Sequence, residues 1–423
     1  MTSLHAVPKS EPAPEKATPA ARSISVDPLD YALKAAAVKR MRRSRRRVVF
    51  LIHASEIFSA LEPVVAELQA RADRFELIFV ALPRNYSGRT GPCENLPQTM
   101  SFLQGLGLQP IAMTGQDVGD LVRLIQLAPD FIFRQTPWEH HIPSVFNSRL
   151  LGFSQLCYVP YGMGTIERPV QQYDQAFHNQ CDLVFAESQY HLERYLQHRA
   201  LGSTGVVLSG YPRFESFVRH LENVQPPWPL PCADDIPRVI WAPHHSVERT
   251  WLNYSTFLDY KDLMLNEAQR GRISILFRPH PALAAKLQAS GSMTSAAYAD
   301  YLSAFDATGS SGVDRCETYI DQFAASDMLI TDGLGFFSEY LLTGKPLVRT
   351  WKEGAEPMNH FGNWCAEAAR VVRDGNQLVE VLDEVANHSY RDERLELRLE
   401  RREILSAMCI GAAARVADAL ENA

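Results

Sequence analysis

Ser326 to Val348 reads SDMLITDGLGFFSEYLLTGKPLV, and the rest of the chain is organised around this stretch. Met328–Thr331 is an apolar run of the kind that forms a buried strand. Asp332-Gly333-Leu334-Gly335 follows as a turn, where glycine permits a tight path and close approach of a ligand. Phe336 to Leu342 carries apolar residues at helical spacing. Gly344 suits the end of that helix and Pro346 the start of a strand from Leu347 to Arg349. A strand, a glycine turn and a helix N-terminus together make an anion site, because free backbone N–H groups and the helix dipole point the same way. An ordinary βα connection in a parallel sheet has the same pattern, so both readings stand on this stretch alone.

At 423 residues the chain exceeds one typical core, and two domains are expected. A hydrophobic content of 46% with 22% charged residues describes a globular protein. The net charge of −7 argues against nucleic acid as a partner. The cysteines are scattered without a CxxC pair, so reduced thiols and a cytoplasmic location are expected. No apolar run approaches a membrane span, and no signal-peptide core opens the chain.

Residues 1–45 read as a disordered and then basic segment, ending in KRMRRSRRR from Lys39 to Arg47. That run suits either a solvated lead into the first strand or contact with an anionic membrane surface, which would place the protein peripherally on the inner face of the plasma membrane. Residues 46–222 alternate short apolar strands with helical stretches: Val48–Ile52, Glu76–Leu82, Asp130–Arg134, Leu156–Pro160, Leu183–Ala186 and Val206–Gly210 are the expected strands. Residues 223–237 include the proline-rich PPWPLPCADDIP and are expected to link two domains. Residues 238–423 repeat the alternation, with strands at Val239–Ala242, Ser274–Phe277, Met328–Thr331 and Leu347–Arg349 and closing helices after Arg391. Gly291 to Gly312 is read as a loop or lid. The fold class is therefore α/β, with two Rossmann-like doubly wound domains facing across a cleft, where ligands of open α/β sheets bind.

Three strand ends in the second half carry polar clusters: His244-His245-Ser246, Arg278-Pro-His280, and Thr331-Asp332-Gly333 with Gly335 behind it. In a parallel sheet these ends share one edge. Arginine binds phosphate oxygens bidentately, protonated histidine adds charge, and backbone N–H groups complete a pyrophosphate cradle. A metal site is not expected, because adjacent histidines in an extended segment point opposite ways and no HExxH is present. In the first half, His53 and Glu56 follow the first strand. Tyr161-Gly162-Met163-Gly164-Thr165 follows the strand ending at Pro160, with Glu167 and Arg168 behind it.

These clusters, in this order, resemble the CDP-glycerol glycerophosphotransferase family of teichoic-acid polymerases and primases. Gly210-Tyr-Pro-Arg213, Trp241-Ala-Pro-His-His-Ser246, Arg278-Pro-His-Pro281 and Ser326-Asp-Met-Leu-Ile-Thr-Asp332 with Lys345-Pro346 carry the resemblance. It implies a GT-B architecture, a nucleotide-linked donor, CDP-linked in the family, as substrate with no separate cofactor, and a polymer or lipid-linked acceptor. It further implies that His244, His245, Ser246, Arg278, His280, Thr331, Asp332, Gly333, Gly335 and Glu339 bind the donor, with Glu339 accepting from the ribose hydroxyls. His280, and His53 or Glu56 after the first strand as base for the acceptor hydroxyl, are the expected catalytic candidates. The chain departs from the family pattern in three places. Gly333-Leu334-Gly335 replaces a Tyr-Ser-Ser, Glu339 replaces Asp, and Tyr161-Gly162 stands where the family has its catalytic His-Gly. A catalytically inactive nucleotide-binding protein is therefore one alternative. A UDP-sugar 2-epimerase-like enzyme is another, since Gly344-Lys-Pro-Leu-Val-Arg349 is similar to a strand of the non-hydrolysing epimerases, which share the GT-B fold.

Overall fold

The computed structural model describes residues 27–85, 95–249, 252–316 and 318–423. Expectations for residues 1–26 lie outside the described residues. Seven parallel strands form the first sheet: β1 (Arg46–Ile52), β2 (Phe75–Ala81), β3 (Pro110–Ala112), β4 (Phe131–Arg134), β5 (Gln155–Tyr158), β6 (Leu183–Ala186) and β7 (Val206–Leu208), in the order β3-β2-β1-β4-β5-β6-β7. Six more form the second: β8 (Arg238–Ala242), β9 (Ser274–Phe277), β10 (Gly312–Val313), β11 (Met328–Thr331), β12 (Leu347–Thr350) and β13 (Arg370–Val372), in the order β10-β9-β8-β11-β12-β13. Each strand order reverses once about a central strand, so helices cover both faces of each sheet and the two-lobed GT-B-like expectation holds. The central strands are apolar along their whole length because both faces are covered; Val48 to Ile52 are at most 1% exposed. The β3, β10 and β13 strands were not legible, being two or three residues long at or near sheet edges.

Aromatic rows tie strands to helices. Phe79, Phe50, Phe133 and Phe185 stack across the first sheet at 5.4, 5.1 and 6.3 Å. Val416, Ala417 and Leu420 of the last helix, Ala412–Asn422, pack into this same core. The expected domain 238–423 is thus crossed by the chain end, which returns to the first lobe. In the second lobe Trp241 stacks on Phe277 at 4.7 Å and on Phe257 at 5.8 Å.

Two further segments differ from expectation. Pro28–Arg42 is a helix, capped by Asp27, with Pro28 in its first turn, and Ala32 and Ala36 are buried beneath it. The basic run Lys39–Arg47, which begins in the last turn of this helix, is largely tied into the fold. Lys39 donates to the carbonyl of Gln126, Arg40 to Pro129 and Phe153, Arg43 to Ala128 and Asp130, and Arg47 to Leu127. The carbonyls of Gln126, Leu127, Ala128 and Pro129 close the C-terminal end of the helix Val118–Gln126, which leaves acceptors unsatisfied and attracts cations. Within the expected lid, Ser295–Asp306 is a helix that buries Tyr298, Tyr301 and Phe305 against β8 and β9.

Candidate functional site

The C-terminal edges of the two sheets meet through two segments. The loop after β5, Tyr161 to Arg168, lies against residues 356–362 after β12. Ile166 and Met358 form an antiparallel bridge. Glu167 N–H donates to Pro357 O at 3.0 Å, Asn359 N–H to Thr165 O at 3.0 Å, and Asn359 Nδ2 to Gly164 O at 2.9 Å. Arg168 pairs with Glu356 at 3.0 Å. Gly362 fits so closely that an added Cβ would stand 2.1 Å from Thr165 O. The glycines expected to admit substrate at Tyr161–Thr165 here lie in a lobe-to-lobe contact, with Gly164 accepting from both His191 and Asn359.

On the second lobe's edge, His244, His245 and His280 come together. Their ring centroids are 4.1 Å apart for His244–His245 and His245–His280, and 5.4 Å for His244–His280. The geometric ground for setting aside a metal does not hold, since ring nitrogens of all three lie within 4.8 Å of one another. The reason is that the segment turns after His244 rather than staying extended. Val247 N–H returns to His245 O at 3.0 Å, and Ser246 N–H donates to His244 Nδ1 at 3.2 Å. Burial, with the neighbouring imidazoles adding repulsion, drives His244 well below the ordinary value; burial and Lys286 take His245 down to about 4. His280, at the exposed rim, is also lowered, by the surrounding protein first and His245 second. The rings are therefore neutral, not the cations expected from sequence.

Their tautomers follow from the backbone. Ala282 N–H donates to His280 Nδ1 at 3.1 Å, as Ser246 N–H does to His244. A neutral imidazole that accepts at Nδ1 carries its proton on Nε2. Two Nε2–H donors are thus offered by the cluster. A metal ligand has the reverse arrangement, with its second ring nitrogen donating to an acceptor. The donor set suits an anion's oxygens better than a cation. His245 Nδ1 is buried without a partner.

The Asp332 turn adjoins this cluster but supports it from behind. The Asp332 carboxylate, 2% exposed, accepts from His244 N–H and from Thr256 N–H and Oγ1–H, and burial lifts its pKa to about 6 against those bonds. Thr331 Oγ1 donates to Ala242 O at 2.6 Å and accepts from Gly333 N–H at 2.8 Å. Both side chains fasten β8 to β11 and the helix Phe257–Arg270. The helix Leu334–Leu341 starts two residues earlier than its apolar spacing implied, so Gly335 lies inside its first turn and only Gly333, at φ −76°, precedes it. Ser246 is likewise internal, with Oγ bonded to His244 Nδ1 at 2.8 Å and accepting from Tyr254 N–H at 2.9 Å.

Two expected donor ligands are committed within the fold. Arg278 pairs with Asp314 at 2.5 Å, donates to Cys316 O at 3.2 Å and lies 4.7 Å over the Tyr319 ring. The reason is local: Asp314, its side chain 2% exposed, sits directly after β10, which pairs with β9. Glu339 is 6% exposed, pairs with Arg213 at 3.4 Å and accepts from Tyr319 Oη–H. In the first lobe, His53 is 2% exposed with Nε2 3.5 Å from Thr136 Oγ1, and burial plus Arg134 and Arg84 hold it neutral. Glu56 pairs with Arg84. Neither lies free at the edge.

One residue there was missed. Glu187 directly follows β6 and is 3% exposed, with Oε2 unpartnered. Its signal was the one used elsewhere: a charged residue ending an apolar strand, before an N-cap, here Ser188.

The chain matches the family model described as CDP-Glycerol:Poly(glycerophosphate) glycerophosphotransferase over residues 152–420. No curated protein sequence matches the chain. Among solved structures, UDP-GlcNAc 2-epimerase from Neisseria meningitidis, bound to UDP-GlcNAc, is similar at 12% identity and TM-score 0.57, over 89% of this chain and 100% of that one. The wall teichoic acid polymerase TagF is similar at 12% identity and TM-score 0.54, over 93% and 95%. UDP-GlcNAc 2-epimerase from Methanocaldococcus jannaschii is similar at 11% identity and TM-score 0.52, over 86% and 100%. At these identities the three show a shared fold and leave the reaction to the family match.

Proposed function

The chain belongs to the CDP-glycerol:poly(glycerophosphate) glycerophosphotransferase family, a group of nucleotide-donor-dependent transferases, and from that premise we propose that it moves a glycerol-phosphate-like polyol phosphate from a CDP-linked donor to a surface-polymer acceptor. The observation that carries this reading is the trio His244, His245 and His280 beside the N-terminus of the Leu334–Leu341 helix. Two neutral Nε2–H donors and the first-turn N–H groups of that helix suit the pyrophosphate oxygens. As the bond to the leaving nucleotide breaks, charge grows on the bridging oxygen, and donors already in place stabilise it without reorganising. His280, at the rim, is the ring best placed to meet that oxygen. Arg278 and Glu339 would join only after leaving Asp314 and Arg213, so the cradle is assigned to the histidines and the Gly333–Gly335 turn.

Calorimetric titration of CDP and UDP, followed by incubation with CDP-glycerol and a glycerol-phosphate oligomer, tests the reading. CDP release with oligomer growth is not the expected balance; CMP release with growth is, since the polyol phosphate is the group transferred. Absence of binding by either nucleotide at millimolar concentration overturns it. The internal pairing of Arg278 and Glu339 favours a second reading, a nucleotide-binding protein without turnover. Binding of CDP without CMP release across a panel of acceptors would select it.

Attachment to an anionic membrane is the outer part of the same proposal. Of the run Lys39–Arg47, the residues left for it are Met41, 78% exposed, and Arg42 beside it. Among the described residues no helix is long and apolar enough to cross a membrane.

A further inference from the structure

Around Gly164, on the first lobe's edge, buried polar atoms converge without partners. Glu187 accepts from Gly164 N–H and from its own N–H, while its Oε2 is left unpartnered. Gln172 Oε1 and Tyr173 Oη, both buried and unpartnered, lie 2.8 and 3.0 Å from where a Cβ on Gly164 would stand. Buried polar groups are almost always hydrogen-bonded, and three orphans about one glycine mark a place for a hydroxylic ligand or for water. A carboxyl, a phenol and an amide oxygen can together donate to and accept from hydroxyl groups, and they present no cation to attract a second phosphate.

The position relative to the histidines is set by one segment, Glu356 to Asn359. On one side Tyr254, whose ring is 6.2 Å from that of His244, donates its hydroxyl to Glu356 O. On the other side Asn359 holds Gly164 O. The orphaned cluster and the histidine cradle therefore flank the same stretch of chain across the contact between the lobes. Parting of the lobes would open the Gly164 loop to an acceptor, and closing would seal the acceptor from water.

The geometry points to Glu187 as the general base of the transfer, with Tyr173 and Gln172 lining the subsite for the acceptor's hydroxyl end. This rests on the transferase reading above and adds its acceptor side. The acceptor O–H gives its proton to the Glu187 carboxylate. Its oxygen forms a bond to the phosphorus of the transferred polyol phosphate, and the bond from that phosphorus to the bridging oxygen breaks, so CMP leaves with the electron pair. Nothing is oxidised or reduced. Burial raises Glu187 to about 8, against the two backbone bonds, which suits a base near neutral pH. The titratable groups around it are Tyr158 of β5, Tyr173 of the helix Pro169–Tyr173, His191 and Tyr195 of the helix Gln189–His198, Tyr211, and Cys409 of the helix Leu395–Cys409, with the cation Arg194 of the Gln189–His198 helix 5.9 Å over the Tyr173 ring and paired to Glu167. Apart from Arg194, whose charge is answered by Glu167, all are held neutral at pH 7, so the carboxyl titrates without an ion partner of its own.

The test is Glu187→Gln. At pH 7 the acid is mostly protonated, so glutamine replaces a neutral group with a neutral one of the same shape. Turnover of CDP-glycerol onto a glycerol-phosphate oligomer should fall about 10²–10⁴-fold. CDP affinity should be unchanged, and the melting temperature should be equal or higher. The wild-type rate should climb with pH towards about 8, and Glu187→Asp should keep that limb at reduced height. Tyr173→Phe should weaken binding of the oligomer measured without donor. Turnover within threefold of wild type in Glu187→Gln, an unfolded Glu187→Gln protein, or oligomer binding indifferent to Tyr173→Phe would overturn the assignment. Failure of the donor reading shows separately, as wild-type protein that binds no CDP, and the oligomer titration still reads Glu187 and Tyr173 in that case.

Discussion

At the second lobe's edge three imidazoles crowd within 4.1–5.4 Å and keep contact with the cleft, whereas at the first lobe's edge a single carboxyl, Glu187, is sealed beneath tyrosines. Both regions are neutral at pH 7, by the same cause and with opposite consequences. Burial disfavours the charged form of either group: it strips protons from the histidines and keeps one on the glutamate. The first region is left with N–H donors for an anion, and the second with a proton acceptor one step from ionising. Asp332 sharpens the contrast. It is as buried as Glu187, yet three donors hold it at about 6, while Glu187, with one oxygen unpartnered, rises to about 8.

If the two edges work together, separating them should do the greatest damage. Gly362→Ala would drive a Cβ into Thr165 O, whose distance of 2.1 Å leaves no room. Turnover is expected to fall by about 10²-fold, since a misplacement of about 1 Å costs that much, while CDP binding to the second lobe persists. Equal turnover in this variant would show that the closed contact is not the working state.

His280→Ala breaks the comparison from the donor side. Loss of one preorganised donor to a developing anion should lower kcat by about 10²-fold, with little change in melting temperature because the residue lies at the rim of the sheet edge. Zinc and inorganic phosphate titrated separately sharpen it further. The Nδ1 acceptor roles of His244 and His280 predict phosphate binding that is lost in His280→Ala, and a tight stoichiometric zinc site would refute the tautomers assigned here.

Arg278→Ala should now act on stability and not on affinity. Removing one partner of a largely buried ion pair strands Asp314, at a cost of about 3 kcal/mol. A lowered melting temperature with unaltered CDP affinity is expected; weakened CDP binding in a stable variant would return Arg278 to the cradle.

The last effect is a slope. Glu187 has its folded pKa raised from 4.5 to about 8, so its contribution is fully present below the unfolded value and is lost as pH rises through that window, by at most about 1.4 kcal/mol per pH unit. The histidines act in the other direction, their folded values being lowered, and cost stability as pH falls below 6.5. Melting curves between pH 5 and 8.5 should therefore be flatter on the alkaline side in Glu187→Gln than in wild type.

Several features were legible without coordinates because they depend on short-range order. Apolar runs separated by helical spacing specify parallel strands covered on both faces, and ten of the strands were placed from that pattern alone. Polar residues ending β8, β9 and β11 had to share an edge once those strands were parallel neighbours, so the grouping of His244, His245 and His280 was legible from sequence. What the side chains do there was decided by contacts between residues distant along the chain. Asp314 lies 36 residues from Arg278 and claims it through the pairing of β9 with β10. Arg213 claims Glu339 from 126 residues away. The charge of each histidine depends on burial and on its neighbours, the other two rings for His244, Lys286 for His245 and His245 for His280, and the proton of Glu187 on burial that only the closed fold supplies. Residue order determines which elements form and which edge they present. The tertiary structure decides which groups on that edge stay unpaired, because pairing and desolvation act through space and not along the chain.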